Sequence, residues 1–284
     1  MEIQFDDLSI PDINTEYYCS PTTRSTGFSL LMKLVLMANK QPTAIPIIEN
    51  LIKDPTELNR VNNIGWSALI IACRNSGTYS NNYVVQILVN AGSDVNAEDH
   101  QGYTALMLAS ISSTVETIKM LINAGADVNH TNNYQKSALH IVIRNSMAYD
   151  YFSTDQIVKI IKYFVSAGVN LDYKCDGYTV LMKSVYWPDI INLLMGAGAD
   201  TNLKNNNDRT VLMILFESRV DKTYTDIIIE LLGSSKETLF DTDISGKTAY
   251  DYYVENNYDI LDSHHLKILN GEIRQSATKS ARSQ

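Results

Sequence analysis

The chain has 284 residues, of which 45% are hydrophobic and 19% charged, and it carries a formal net charge of −9 with a pI of about 5.0. This composition excludes a disordered chain. An acidic protein releases no counterions from a phosphate backbone, which argues against general nucleic-acid binding.

The start, MEIQFDDLSI, lacks the charged-then-apolar pattern of a signal peptide. No stretch reaches the ~18 uninterrupted apolar residues of a membrane helix, so no membrane insertion is expected. Cys19, Cys73 and Cys175 are widely spaced and form no CxxC pair. The simplest expectation is a reduced, intracellular protein, cytoplasmic or nuclear.

Residues 1–23 read as an acidic, irregular leader. From there a signature of the form Gly-x-Ser/Thr-x-Leu recurs: GFSLLM at 27, GWSALI at 65, GYTALM at 102, QKSALH at 135, GYTVLM at 177, DRTVLM at 208 and GKTAYD at 246. The spacings run from 31 to 42 residues, and one of them is 33. A recurring period of this size predicts a stack of similar units rather than one folded core.

Each unit repeats one internal order. A hydroxyl residue (Ser67, Thr104, Ser137, Thr179, Thr210) precedes a short apolar run and can cap a helix start. A polar gap follows, then a second apolar run at helical spacing, such as Ile157, Ile160, Ile161 and Phe164. Gly92, Gly125, Gly168 and Gly198 then stand where a helix end needs positive φ. The unit is therefore helix–turn–helix plus a short polar hairpin leading to the next.

This order resembles the ankyrin repeat, in particular the ankyrin-repeat proteins of large AT-rich DNA viruses. The resemblance covers residues 24–262 and is most specific over 62–202. It implies an all-α repeat fold, a solenoid of about seven helix–turn–helix units with degenerate end caps, joined by short β-hairpin-like loops. The family's Pro after the Thr is replaced throughout, and its His survives only as His140. Softer helix starts are expected elsewhere, and less relaxed turns at Gln135 and Asp208, which replace the turn Gly. GKTAYDYYVENN (246–257) reads as a terminal capping repeat, and 263–284 as a polar, disordered tail.

Extra length sits at 75–83, 145–155 and 217–226, between the first and second helix of a unit. These stretches are read either as tolerated loops or, through Tyr79, Tyr83, Tyr149, Tyr151 and Tyr224, as a secondary contact surface. The chain shows no Gly-rich phosphate loop, HExxH, GxSxG or CxxC pattern. No catalysis, cofactor or metal is expected. His264 and His265 are adjacent, so their side chains diverge on a helix. Asp94, Asp127 and Asp200 read as turn residues, and Cys175 is expected at a hairpin tip with an exposed thiol.

What remains is surface. The resemblance implies a monomeric scaffold that binds a partner protein along the hairpin tips and the inner face of the first helices. The column after the turn Gly supplies Trp66, Tyr103, Lys136, Tyr178 and Arg209 as candidate contacts. The far end of the first helix supplies Arg74, Ile111, Arg144, Tyr186 and Trp187. Large aromatics and Arg are the usual anchors of an interface. Trp66 and Tyr103 serve equally well as packing against a neighbouring hairpin, and Trp187 as a staple on the turn before Pro188. Asn96 and Asn129 occupy the position that the family offers to an asparaginyl hydroxylase, or they brace the hairpin. The alternative function is a substrate-recruiting adaptor for a ubiquitin ligase or another host enzyme.

Overall fold

The computed structural model describes residues 27–272, apart from 39–40, 80–81, 113, 150–151, 219, 235–237 and 257–258. The expected leader, Cys19, Tyr151 and residues 273–284 lie outside the described residues, as do the side chains of Tyr79 and Tyr149.

The helices come in pairs. They are α1 (Leu30–Ala38) with α2 (Ile45–Leu51), then a one-turn α3 (Pro55–Leu58), then α4 (Ala68–Tyr79) with α5 (Asn82–Asn90). There follow α6 (Ala105–Ser112) with α7 (Val115–Asn123), and α8 (Ala138–Tyr149) with α9 (Thr154–Ser166). The last three pairs are α10 (Val180–Lys183) with α11 (Pro188–Gly196), α12 (Val211–Glu217) with α13 (Thr225–Ser234), and α14 (Ala249–Glu255) with α15 (Ser263–Leu269). First helices stack on first helices, α1 on α4 and on through α6, α8, α10, α12 and α14. Second helices stack likewise from α5 through α7, α9, α11 and α13 to α15.

The signature hydroxyls start the first helices. Ser67 Oγ accepts from Ile70 N at 3.2 Å, Thr104 Oγ1 from Met107 N at 3.4 Å, and Thr179 Oγ1 from Met182 N at 3.3 Å. Each satisfies a backbone donor that no helical carbonyl can reach. In the fourth unit Ser137 Oγ also meets His140 Nδ1 at 2.8 Å, and the far ring nitrogen lies 3.2 Å from the Tyr178 carbonyl of the fifth.

The second helices close as the glycines dictate. Gly125 has φ +88° while Ala126 N donates to Leu121 O at 3.0 Å, and the same closure recurs from Ala199 N to Leu194 O at 3.0 Å. This is the left-handed C-terminal closure that glycine permits without steric cost. Leu88, Leu121, Phe164, Leu194 and Leu231, each one turn or so before the helix end, are fully buried in one continuous core that joins neighbouring units.

Two expectations change here. The stretch 263–269 is α15, not disordered tail: Asp262 caps it, accepting from His264 N and His265 N at 2.9 Å, and Ile268 and Leu269 are buried against the stack. Its apolar positions are few but stand together, which short-window composition hides. Part of the extra length at 75–83 and 145–155 prolongs the first helices, α4 running to Tyr79 and α8 to Tyr149. In the third stretch Tyr224 is buried, whereas Tyr83 is 49% exposed.

Candidate interaction surface

Each hairpin is built on one side chain. Asp99 Oδ1 accepts from Gln101 N and Tyr103 N, both at 2.9 Å, while its own N–H donates to Tyr103 O at 3.0 Å. Asn62, Asn132, Asn205 and Asp243 do the same for their own turns. The turn itself needs positive φ before the exit residue, found at Gly65, Gly102 and Gly246. A Cβ on Gly65 would stand 2.9 Å from Asp99 Cα, so the next hairpin also excludes a side chain there. Gln135 and Asp208 hold the same φ, +57°, as non-glycines, so these turns carry the strain expected of them. The fifth unit departs: Cys175 and Tyr178 exchange both backbone bonds around Asp176-Gly177, a two-residue hairpin with φ +54° and +82°.

Successive tips touch. His100 N donates to Ile64 O at 3.1 Å, Asn133 N to Gln101 O at 3.0 Å, and Ile244 N to Asn207 O at 3.1 Å. A second ladder runs behind them. Asn96 Oδ1 accepts from Asp127 N at 2.8 Å and its amide donates to Gly125 O at 3.1 Å, so one side chain braces the next unit's helix end. Asn129 does the same to Asn170 N and Gly168 O. Both asparagines are exposed, with both amide atoms engaged between units. Asp94, Asp127 and Asp200 accept from the N–H two residues on, the turn role read for them.

In units two, six and seven the two sequence columns meet, the residue after the turn touching the residue eight later. The Arg74 guanidinium lies 4.7 Å over the Trp66 ring, Arg209 Nη1 donates to Glu217 at 2.7 Å, and Lys247 Nζ donates to Glu255 at 2.6 Å. The column also reaches forward. Trp66 Nε1 donates to Asp99 Oδ2 at 3.1 Å, and Arg209 Nε donates to Asp243 Oδ2 at 2.9 Å. Where the residue before is Phe28 or Tyr103, the next hairpin carries Asn62 or Asn132 instead, whose buried amide nitrogens find no protein partner. An aspartate thus stands where an N–H donor arrives.

Two candidate contacts are thereby corrected. Trp66 is 8% exposed and Tyr103 3%, and both belong to the packing between units, so neither presents a ring to a partner. Cys175 is likewise buried at 2%, and burial raises its thiol pKa, so it is no exposed thiol. The two-residue turn draws it inward to the hairpin base. Tyr186 is 58% exposed and Arg144 is exposed. Lys136, Tyr178, Arg209, Arg74, Ile111 and Trp187 are half-buried. Trp187 also precedes Pro188 as the N-terminal cap residue of α11. The sequence reading missed the apolar tips: Tyr134 is 55% exposed, Ile64 37% and Ile244 67%. They were legible as apolar residues inside polar turns, where no packing need explains them.

The ionisable groups fit structural duties. Burial would raise the Asp243 carboxyl, but hydrogen bonds from Tyr252 Oη at 2.7 Å, Lys247 N and Arg209 outweigh it and hold the group far below the usual carboxylate range. Its Tyr252 partner is pushed up to about 12, by burial first and then by that same bond. His140 is pushed down to about 4 by burial, against the opposing pull of the Tyr178 carbonyl. Among the described residues no group of three or more His, Cys, Asp or Glu could hold a metal ion, and no helix is long and apolar enough to cross a membrane.

Comparison with known proteins agrees with this geometry. The family model for ankyrin repeats in three copies matches residues 34–132 and 77–153. Two ankyrin repeat proteins of Acanthamoeba polyphaga mimivirus are similar. One is 31% identical over 125 residues, covering 41% of this chain and 19% of the relative. The other is 28% identical over 206 residues, covering 69% of this chain and 30% of the relative. The chain therefore spans less than a third of the length of either. Among solved structures, the ankyrin repeat domain of Bcl-3, described as a unique member of the IkappaB protein family, superposes with a TM-score of 0.60 at 18% identity, covering 87% of this chain and all of that one. A chain from the complex of the predatory endopeptidase Bd0816 of Bdellovibrio bacteriovorus with the immunity protein Bd3460 gives a TM-score of 0.53 at 22% identity, covering 72% of this chain and 97% of that one. These last two show the fold.

Proposed function

From the premise that the chain is an ankyrin-repeat protein similar to those of a giant virus, we propose that it is a non-catalytic scaffold binding one partner protein along its hairpin tips and first-helix face. Ankyrin repeats generally mediate protein–protein interaction. The observation that carries the reading is the placement of exposed large side chains. Ile64, Tyr134 and Ile244 stand on tips and Tyr186 in the turn just past the end of α10, all more than a third exposed. A large side chain left well exposed on an element held rigid by the stack is suited to contact. Three or four adjacent units can offer the ~800 Å² per partner of a standard interface. No observation among the described residues favours the adaptor reading over this one.

The test is capture of a partner by tagged wild type, beside Tyr134→Ala with Tyr186→Ala, and beside Tyr83→Ala. Tyr83 is exposed too, but on α5, where its hydroxyl donates to Glu49 at 2.6 Å. A partner lost from the first variant and kept by the second supports the scaffold face. A partner lost only with Tyr83→Ala moves the interface to the second helices.

A further inference from the structure

Among the described residues, unit one lacks a cover that every later unit has. Leu30, the first residue of α1, is 44% exposed. Its counterparts at the starts of the later first helices, Ala68, Ala105, Ala138, Val180, Val211 and Ala249, are 1–2% exposed. The second helices show the same contrast. Two adjacent core residues and a third three positions on recur as Val84-Val85-Leu88, Ile160-Ile161-Phe164 and Ile190-Ile191-Leu194, and α2 repeats the pattern as Ile47-Ile48-Leu51. The first of the three is at most 2% exposed in the later helices, whereas Ile47 is 39%.

These positions face backward along the stack. In α7 the place of Ile47 is held by Thr117, whose hydroxyl donates to Asn82 Oδ1 of the preceding unit at 2.8 Å. What buries the later residues is therefore the unit before them. Leu30 and Ile47 are side chains of the kind that fill a joint, standing on a face where no joint is made.

The same chain carries a segment of matching chemistry. Ile3, Phe5, Leu8, Ile10 and Ile13 put an apolar residue at every second or third position, while residues 14–26 contain no Ile, Leu, Val, Met or Phe. That spacer can reach ~43 Å when extended, at ~3.3 Å per residue. The neighbouring place in a helix stack lies only ~10 Å away. A segment tethered this closely is present at an effective concentration of about millimolar, against which any separate occupant has to compete.

We propose that residues 3–13 of this chain cover the backward face of unit one, their apolar side chains lying over Leu30 and Ile47 where another unit would otherwise stack. Removal of that apolar surface from water drives the contact. The proposal concerns the end of the stack and stands apart from the scaffold reading.

Hydrogen exchange of the full chain, read by mass spectrometry on peptides covering α1 and α2, tests it. Phe5→Ser with Leu8→Ser and Ile10→Ser changes no residue of the stack, so it acts on α1 and α2 only through the contact. It is expected to speed exchange there about ten-fold or more, with α11 and α13 unchanged. Asp6→Ser with Asp7→Ser, in the same stretch, should change it less than about two-fold. Unchanged exchange of α1 and α2 in the first variant, or equal acceleration in the two, overturns the proposal. So does wild-type protection of α1 and α2 that is lost on dilution, which would assign the face to a second copy of the chain.

Discussion

The joint between units two and three and the joint between units six and seven solve one problem with different chemistry. In both, the residue after a turn reaches the aspartate that builds the next hairpin. At the first joint the donor is the neutral indole of Trp66, under Arg74. At the second it is the guanidinium of Arg209, shared with Glu217, and Tyr252 adds a further bond to the same carboxylate. The aspartate's first oxygen is committed to its own turn in each case, so only the second oxygen is free to choose a neighbour. The repeat period therefore fixes where adjoining units touch and leaves the kind of contact to one residue in each. A joint with a neutral donor responds less to salt than one between two charged groups.

The strongest way to break both joints together is from the core between them. Leu121→Asp places a charge at a fully buried site of α7, between units. It should lower stability by more than about 4 kcal/mol, read as loss of the cooperative thermal transition by circular dichroism. A melt like wild type would contradict the register of the stack.

Asp243→Ala should come next, at about 3 kcal/mol by urea titration. It strips the turn donors, Arg209 and Tyr252 of one acceptor at a site 4% exposed. Asp99→Asn separates the two duties. Its oxygen keeps the turn, but its amide opposes the Trp66 N–H, so about 1–2 kcal/mol is expected. If Asp99→Asn costs as much as Asp243→Ala, the indole bond and the ionic joint are not the distinct devices described.

Acid sharpens the comparison from a third place. His140, between units four and five, has a folded pKa of about 4 against an ordinary 6.5. The unfolded chain then binds more protons between those values, so stability is full above pH 6.5 and falls as pH drops toward 4. The loss can reach about 3 kcal/mol. Asp243, whose folded pKa is depressed, adds its own loss only as pH falls below the ordinary carboxylate value of 3.8. Urea midpoints at pH 7, 5.5 and 4.5 should fall for wild type and stay level for His140→Gln.

The smallest effect concerns the turns. Gln135→Gly should stabilise by about 1 kcal/mol, since Gln135 holds φ +57° with a side chain, and Asp208→Gly by less, because Asp tolerates that region better.

These cases show how far the sequence was legible. The recurring hydroxyls, the Ala-Gly helix ends and the substituted turn positions at 135 and 208 all announced backbone requirements, and backbone requirements are local. The burial of Trp66 and Tyr103 was not local. It depends on the hairpin of the following unit closing over the ring, some 33 residues downstream for Trp66. The pairing rule was nevertheless present in the chain, since Trp66 precedes Asp99 and Arg209 precedes Asp243, while Phe28 and Tyr103 precede Asn62 and Asn132. Cys175 misled for a related reason. Its hairpin turns in two residues, so the position that is a tip elsewhere becomes a buried base. The helix at 263–269 was hidden by the polar residues around Ile268 and Leu269.

The central claim is that a protein partner lies on the tips and first helices. Hydrogen exchange of the chain, alone and saturated with the captured partner, tests it most directly. The account predicts new protection at the hairpin tips around Ile64 and Tyr134 and along the first-helix segments through Tyr186, with α5, α7, α9 and α11 unchanged. Protection confined to those second helices, with the tips still exchanging freely, would contradict it.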